Sequence, residues 1–224
     1  MFNKKSKTIC FIPARKGSTR LKNKNLRKIN NLSLTEITIN QAKKSGVFKD
    51  IILSSNSNLI LNIGKKLRIS CHKRSKLNST KYSTTDSALL ETIKKIKYQY
   101  DNIIILQVTS PLRNLKTIKK FLNFCIKKKI NTCLTVSLID ENLANFNKKF
   151  FNPLNKRERS QNRKKYFYEN GLIYFISRKF LKKNNKIYPN RNWNYFLTDK
   201  YESIDIDKYT DYKVCKLLYN KLNQ

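Results

Sequence analysis

Short runs of apolar, β-branched residues alternate along the chain with longer stretches whose apolar positions recur every three or four residues. Thr8 to Pro13, Asp50 to Ser54, Arg68 to Cys71, Asn102 to Gln107, Thr132 to Leu138 and Gly171 to Ile176 read as strands, with Ser203 to Ile206 as a last short one. Leu34 to Ser45, Asn58 to Lys66, Thr85 to Tyr98, Leu115 to Lys128 and Thr210 to Leu222 read as helices, Gly46 stopping the first and Thr84 or Thr85 capping the third. This alternation predicts an α/β fold, a Rossmann-like three-layer sandwich around a mostly parallel sheet. The unbroken run Asn-Ile-Ile-Ile-Leu-Gln from Asn102 suits a strand covered on both faces. From Ile139 to Tyr168 the pattern breaks. That stretch is polar and basic with aromatic patches at Phe146 and Phe150-Phe151, and it reads as an inserted hairpin and loop within one domain spanning residues 1–224.

Composition narrows the picture from there. A formal net charge of +35 would ordinarily point to nucleic acid. The lysines, however, are spread over the whole chain, in patches such as Lys94-Lys95, Lys119-Lys120 and Lys127-Lys128-Lys129, and are not interleaved with aromatics in one segment. Few glycines and prolines beside many Lys, Asn and Ile residues also fit an A/T-rich coding sequence. Both points argue against a nucleic-acid partner. Five scattered cysteines with apolar neighbours suit buried, reduced thiols in a cytoplasmic protein. No apolar run is long enough to span a bilayer, and the N-terminal residues lack the apolar core of a signal peptide. His72 is the only histidine and reads as a surface loop residue, which leaves no base for triad chemistry.

In open α/β sheets ligands bind beyond the carboxyl ends of the strands. Four segments there carry chemistry. Pro13 to Asn25 holds Gly17 among Arg15, Lys16, Arg20, Lys22 and Lys24, a composition able to neutralise a triphosphate although the Walker A spacing is absent. Gln107 to Arg113 gathers an amide, two hydroxyls and a guanidinium, with a helix N-cap as the plainer reading. Glu169 to Tyr174 says little alone. In a chain with only 14 acidic residues, Asp205, Asp207 and Asp211 stand close together. Asp205 and Asp207 share a face of an extended segment and can share a hard cation, Mg²⁺ or Mn²⁺, whereas Asp211 can serve as a helix cap.

Taken together these segments resemble the acylneuraminate cytidylyltransferase family, which includes the CMP-sialic acid synthetases. The family's I-P-A-R-x-G-S-x-R loop ending in K-N is matched by Ile12 to Arg20 and Lys24-Asn25, its L-Q-x-T-S-P-L-R by Leu106 to Arg113, its N-G-x-I-Y by Asn170 to Tyr174, and its S-I-D-I-D by Ser203 to Asp207. The resemblance implies a nucleotide-diphospho-sugar transferase-like fold, a homodimer, and an enzyme that turns CTP and a nonulosonic acid into CMP-sugar and pyrophosphate. By the same resemblance Arg15 and Lys24 hold the triphosphate, Ser18 and Arg20 support the loop, and Asn25 and Arg74 lie at the cytidine. Gln107, Asn170 and Tyr174 face the sugar, and Asp205 and Asp207 carry the metal, with Arg15, Lys24 and Asp207 as the catalytic set. Two arginines that sialic acid activating members often carry are replaced here by Tyr168 and Ser160, leaving Arg159 as the neighbouring candidate for the sugar carboxylate. N-acetylneuraminic, legionaminic and pseudaminic acid therefore all stay open as acceptors. A basic nucleic-acid-binding protein and a non-catalytic homologue remain the rival classes.

Overall fold

In the computed structural model, residues 7–80, 82–97, 99–141, 143–146, 151–154, 161–162 and 164–222 are described. The strands, in chain order, are β1 (Thr8–Pro13), β2 (Lys28–Ile29), β3 (Leu32–Ser33), β4 (Asp50–Ser55), β5 (Ser70–Lys73), β6 (Asn102–Leu106), β7 (Thr132–Ile139), β8 (Ala144–Phe146), β9 (Phe151–Pro153), β10 (Tyr166–Ser177) and β11 (Asn194–Leu197). The α-helices are α1 (Leu34–Ser45), α2 (Asn58–Lys66), α3 (Thr85–Lys94), α4 (Leu115–Lys127), α5 (Arg178–Asn184) and α6 (Tyr209–Leu222). None of these helices is long and apolar enough to cross a membrane.

Seven strands form one sheet in the order β11-β7-β10-β6-β1-β4-β5, in which β10 alone runs against its neighbours. Alternate residues of the central strands feed opposite cores, as a doubly covered sheet requires. Cys10 and Ile12 of β1 and Ile104 and Leu106 of β6 join α1, α2, α4 and α6 on one face. Ile9, Phe11, Ile103 and Ile105 join α3 and α5 on the other. The result is the three-layer sandwich expected from the sequence.

Local chemistry explains most element ends. Ser33 accepts from the Glu36 amide while Glu36 reaches back to the Ser33 amide, a capping box that starts α1. Gly46 ends that helix at φ 66°, a left-handed conformation that glycine adopts without strain. Thr84 caps α3 through the Ser87 amide.

Several expectations are corrected. Ser203–Ile206 forms no strand: the sheet edge beside β7 is taken by β11, and Ile206 is tied instead to the segment after β6, its amide donating to the Thr109 carbonyl at 2.9 Å. The third strand begins at Ser70, because Arg68 leaves α2 with φ 52° and delays the extended conformation. α3 stops at Lys94, short of Tyr98. β10 starts at Tyr166, and Gly171 (φ 70°) lies where its register on β7 shifts, between Glu169 and Tyr174. His72 is not a surface loop residue: it sits within β5, 7% exposed. Between 139 and 168 the described residues include a small antiparallel pair, β8 with β9.

Gly64 lets α2 approach the sheet closely. A Cβ there would lie 2.6 Å from Cys71 Sγ and 2.9 Å from Leu53 Cδ2. Overpacking of this kind costs about 1–3 kcal/mol, against roughly 1 kcal/mol gained from alanine's helix propensity. Gly64→Ala should therefore lower the urea unfolding midpoint; an unchanged midpoint would show that β4 and β5 yield without cost.

Candidate functional site

The chain emerges from β1 at the point where strand order reverses, with β4 on one side and β6 on the other. The loop that follows is pinned at several atoms. The Ala14 amide donates to the Ser54 carbonyl at 2.9 Å and the Lys16 amide to Asn56 Oδ1 at 2.7 Å. Asn25 Nδ2 closes the loop by donating to the Arg15 carbonyl at 2.9 Å, and Thr35 Oγ1 donates to the Asn25 carbonyl at 2.8 Å. Gly17 takes φ 107°, outside the range of an ordinary side chain.

These constraints shape a cleft of about 200 Å³ over the carboxyl ends of β1 and β6. Arg15, Ser18, Arg20, Lys24, Asn25, Arg74 and Gln107, seven residues singled out from the sequence, all line it. Arg74 is the most buried of its cations, 6% exposed, with Nε donating to Ser54 Oγ at 3.0 Å and Nη2 to the Ser54 carbonyl at 3.1 Å. Burial first, then the nearby Arg15 charge, pulls its pKa down to about 10, so it remains a cation at neutral pH.

The acidic segment reaches the same cleft from the far end of the chain. The Ile206 amide docks on the carbonyl of Thr109, a residue that lines the cleft, and Asp207 lies between two cations: Lys24 Nζ at 2.9 Å and Arg20 Nη1 at 2.8 Å. Asp205 is exposed by surface area yet crowded by protein atoms. That crowding raises its pKa and the Asp207 charge adds to the rise, while a hydrogen bond with Thr109 and the Lys24 charge oppose it. Asp211 lies in the first turn of α6 and reaches back, its Oδ2 accepting from the amides of Asp207 at 2.9 Å and Lys208 at 2.7 Å just before the helix. The Arg27 guanidinium lies over the rings of Tyr209 and Tyr212, 5.7 and 5.5 Å from their centroids, and ties this segment to the loop side.

Other residues picked out from the sequence are not brought to the cleft. Asn170 is 3% exposed and forms a hydrogen-bond hub: Oδ1 accepts from Thr135 Oγ1 at 2.7 Å, and Nδ2 donates to Ser137 Oγ at 2.8 Å and Thr198 Oγ1 at 2.7 Å. With its amide group used in this way, Asn170 joins β10 to β7 and to the residue after β11, and has no free group for a sugar. Tyr174 packs edge-on against Tyr188 and donates to Glu169 Oε1 at 2.7 Å, on the α3 side of the sheet. Arg113 is likewise internal: its guanidinium donates to the carbonyls of Gln107 and Leu172 and to Gln41 Oε1. Arg159 and Ser160 lie outside the described residues. Tyr168 Oη meets Ser203 Oγ at 3.4 Å.

Sequence reasoning missed Ser83, Thr84 and Thr85, which line the cleft at the N-terminus of α3. Thr84 was visible as a helix cap; its place at the cleft depends on how α3 packs, which the sequence does not state.

A family model described as Cytidylyltransferase matches residues 9–222. The Post-translational flagellin modification protein B of Campylobacter coli is 31% identical over 233 residues, covering 97% of either chain. The Pseudaminic acid cytidylyltransferase of Campylobacter jejuni is 26% identical over 227 residues, covering 95% of this chain and 96% of the relative. A solved structure of CMP:2-keto-3-deoxy-manno-octonic acid synthetase complexed with CTP superposes with a TM-score of 0.74 at 15% identity, over 96% of this chain and 99% of the other, a likeness of fold. A sequence match that runs from β1 to the last turns of α6, on a sheet that places the basic loop and the aspartate pair together, makes this chain a member of the cytidylyltransferase family, a nucleotidyltransferase.

Proposed function

We propose that the protein transfers CMP from CTP to the anomeric hydroxyl of a nonulosonic acid and releases pyrophosphate. The observation that carries this reading is the convergence of Arg15, Arg20, Lys24 and Arg74 on one cleft with Asp207 ion-paired at its edge. Four cations around so small a space suit a triphosphate and little else of comparable size. The curated relative that acts on pseudaminic acid supports an acceptor of this class, with N-acetylneuraminic and legionaminic acid as the alternatives.

In this reading Arg15 and Lys24 hold the phosphates, and Ser18 and Arg20 keep the loop in place around them. Asn25 and Arg74 lie at the cytidine, and Gln107, at the carboxyl end of β6, faces the acceptor. The chain's contribution to the in-line displacement is position and charge: the acceptor hydroxyl is held opposite the leaving pyrophosphate, whose growing charge meets Arg15 and Lys24. Asp205 and Asp207 fit a divalent cation, Mg²⁺ or Mn²⁺, because that ion is commonly held by one or two carboxylates together with phosphate oxygens. Bound there, it would supply further positive charge at the α-phosphate. Lys24 and Arg20 both pair with the Asp207 carboxylate at the edge of the cleft.

The reading also includes a cytoplasmic homodimer. All five cysteines are free thiols, which suits a reducing compartment. Phe167, Tyr195 and Leu197 are 44%, 57% and 55% exposed, and register puts them on one face of β10, β7 and β11, with the Phe167 and Tyr195 rings 6.0 Å apart. A second copy of the chain is the partner we assign to that apolar face.

Pyrophosphate release should appear with CTP, Mg²⁺ and a nonulosonic acid, and not with ATP, GTP or UTP in place of CTP; a panel of the three acids identifies the acceptor. Asp207→Ala should abolish turnover, by about 10²-fold or more, at an unchanged melting temperature, and near-normal turnover would remove Asp207 from the site. Asn170→Ala should do the reverse, lowering the melting temperature through unpaired partners worth about 1–3 kcal/mol while CTP affinity holds. Light scattering should report a dimer for the parent protein and a monomer for Tyr195→Asp/Leu197→Asp; a monomeric parent would defeat the assignment of that face.

A further inference from the structure

Behind the wall of the cleft lies a group of polar side chains that does not itself line it. His72 of β5 is buried against α3, with Nδ1 2.9 Å from Thr92 Oγ1 and 3.4 Å from Ser54 Oγ. Thr92 gives its single hydroxyl proton to the Ala88 carbonyl at 2.7 Å, so the short Nδ1 contact assigns the ring proton to Nδ1. Nε2 then carries the lone pair; it has no hydrogen-bond partner and faces Glu91 Oε1 at 3.7 Å. An apolar side chain would fill this space at less cost, because burying an unpaired polar atom is unfavourable.

Both ends of the group lead to an arginine of the cleft. Ser54, which His72 and Thr92 flank, accepts from the Arg74 guanidinium at Oγ and at its carbonyl. Glu91 accepts from the Ser75 amide at 2.8 Å, Ser75 Oγ at 3.2 Å and Asn78 Nδ2 at 2.6 Å. The segment it holds runs on to Thr80, whose carbonyl accepts from Arg15 Nη1 at 3.4 Å. Arg15 and Arg74 repel one another, and Glu91 is the negative charge that offsets this at Arg74. Among the described residues neither guanidinium forms an ion pair with a carboxylate, which leaves both able to meet an anion.

We propose that His72 and Glu91 are positioning residues for the nucleotide, fixing Arg74 and the 75–80 segment against Arg15 before CTP binds. Their effect falls on nucleotide affinity and not on the displacement, because they act through the cleft wall and touch no reacting atom. Holding two like-charged groups in place in advance lowers what ligand binding must do to order them. The inference rests on the reading of the cleft as the CTP site.

The test combines calorimetric CTP binding without acceptor, steady-state pyrophosphate release and thermal melting, on the parent protein, Glu91→Gln, Glu91→Asp and His72→Gln. Glu91→Gln should weaken CTP binding and raise its KM by about 5- to 20-fold, with kcat within about twofold and the acceptor KM unchanged. Glu91→Asp, which keeps the charge, should recover part of the affinity, and His72→Gln should weaken CTP binding in the same sense. A fall in kcat at unaltered CTP affinity, or a lowered melting temperature with affinity intact, would overturn the proposal. Should His72→Gln fail to fold, the variants at Glu91, whose side chain is 16% exposed, decide alone. A parent protein that binds CTP while the Glu91 variants bind it equally well defeats this inference only; a parent that ignores CTP defeats the reading of the cleft as well.

Discussion

Burial of β1 and β6 on both faces is the constraint from which the rest of the molecule follows. Ile9, Phe11, Ile103 and Ile105 point one way, Cys10, Ile12, Ile104 and Leu106 the other, and all are sealed from solvent. A strand packed in this manner has its register and direction fixed, since a slip of one residue would exchange the two cores. Two segments distant in sequence, Ala14 onward and Gln107 onward, must then leave the sheet side by side. Much of the cleft is attached to that pair of exits, the basic loop to one and Thr109 with the docked aspartate segment to the other, while Arg74 joins it from the end of β5.

Much of this was legible because it depends on local sequence. α1 carries its own start and stop in Ser33, Glu36 and Gly46, and the apolar run from Ile103 announces a doubly buried strand. The basic loop and the aspartates were legible as motifs. What the sequence concealed was position in three dimensions. Asn170 and Tyr174 sit in a motif beside cleft residues, but β10 turns them to other uses: Asn170 enters a polar hub between strands and Tyr174 an aromatic contact with Tyr188. His72 looked superficial because the basic residues Lys73 and Arg74 follow it directly, and its burial comes from α3, whose Thr92 meets the ring. β11 was overlooked for a related reason: a four-residue strand with exposed side chains has no buried alternation to betray it.

Charge is used unevenly. The chain carries 49 basic residues and 14 acidic ones. The scarce carboxylates therefore mark where order is needed. Glu36 builds a helix start, Glu202 accepts from the Asn114 amide and Thr117 Oγ1 at the beginning of α4, and Asp211 organises α6. Glu91 and Asp207 are set among the basic residues of the cleft region, one behind its wall and one at its edge. In such a background a single carboxylate changes the local field more than one further lysine could.

The reversed direction of β10 has a topological consequence. β7 runs parallel to β6 and so finishes at the same end of the sheet as the cleft; β10, running the other way, must begin there. The chain thus leaves the sheet at Ile139 and re-enters it at Tyr166 on one rim, the rim that carries the cleft. Apart from the small β8–β9 pair, chain length can be added or exchanged in that interval without disturbing any pairing of the seven-stranded sheet. Strand pairing thus fixes one side of the cleft, while the chain joining β7 to β10 is held by the sheet only at its two ends.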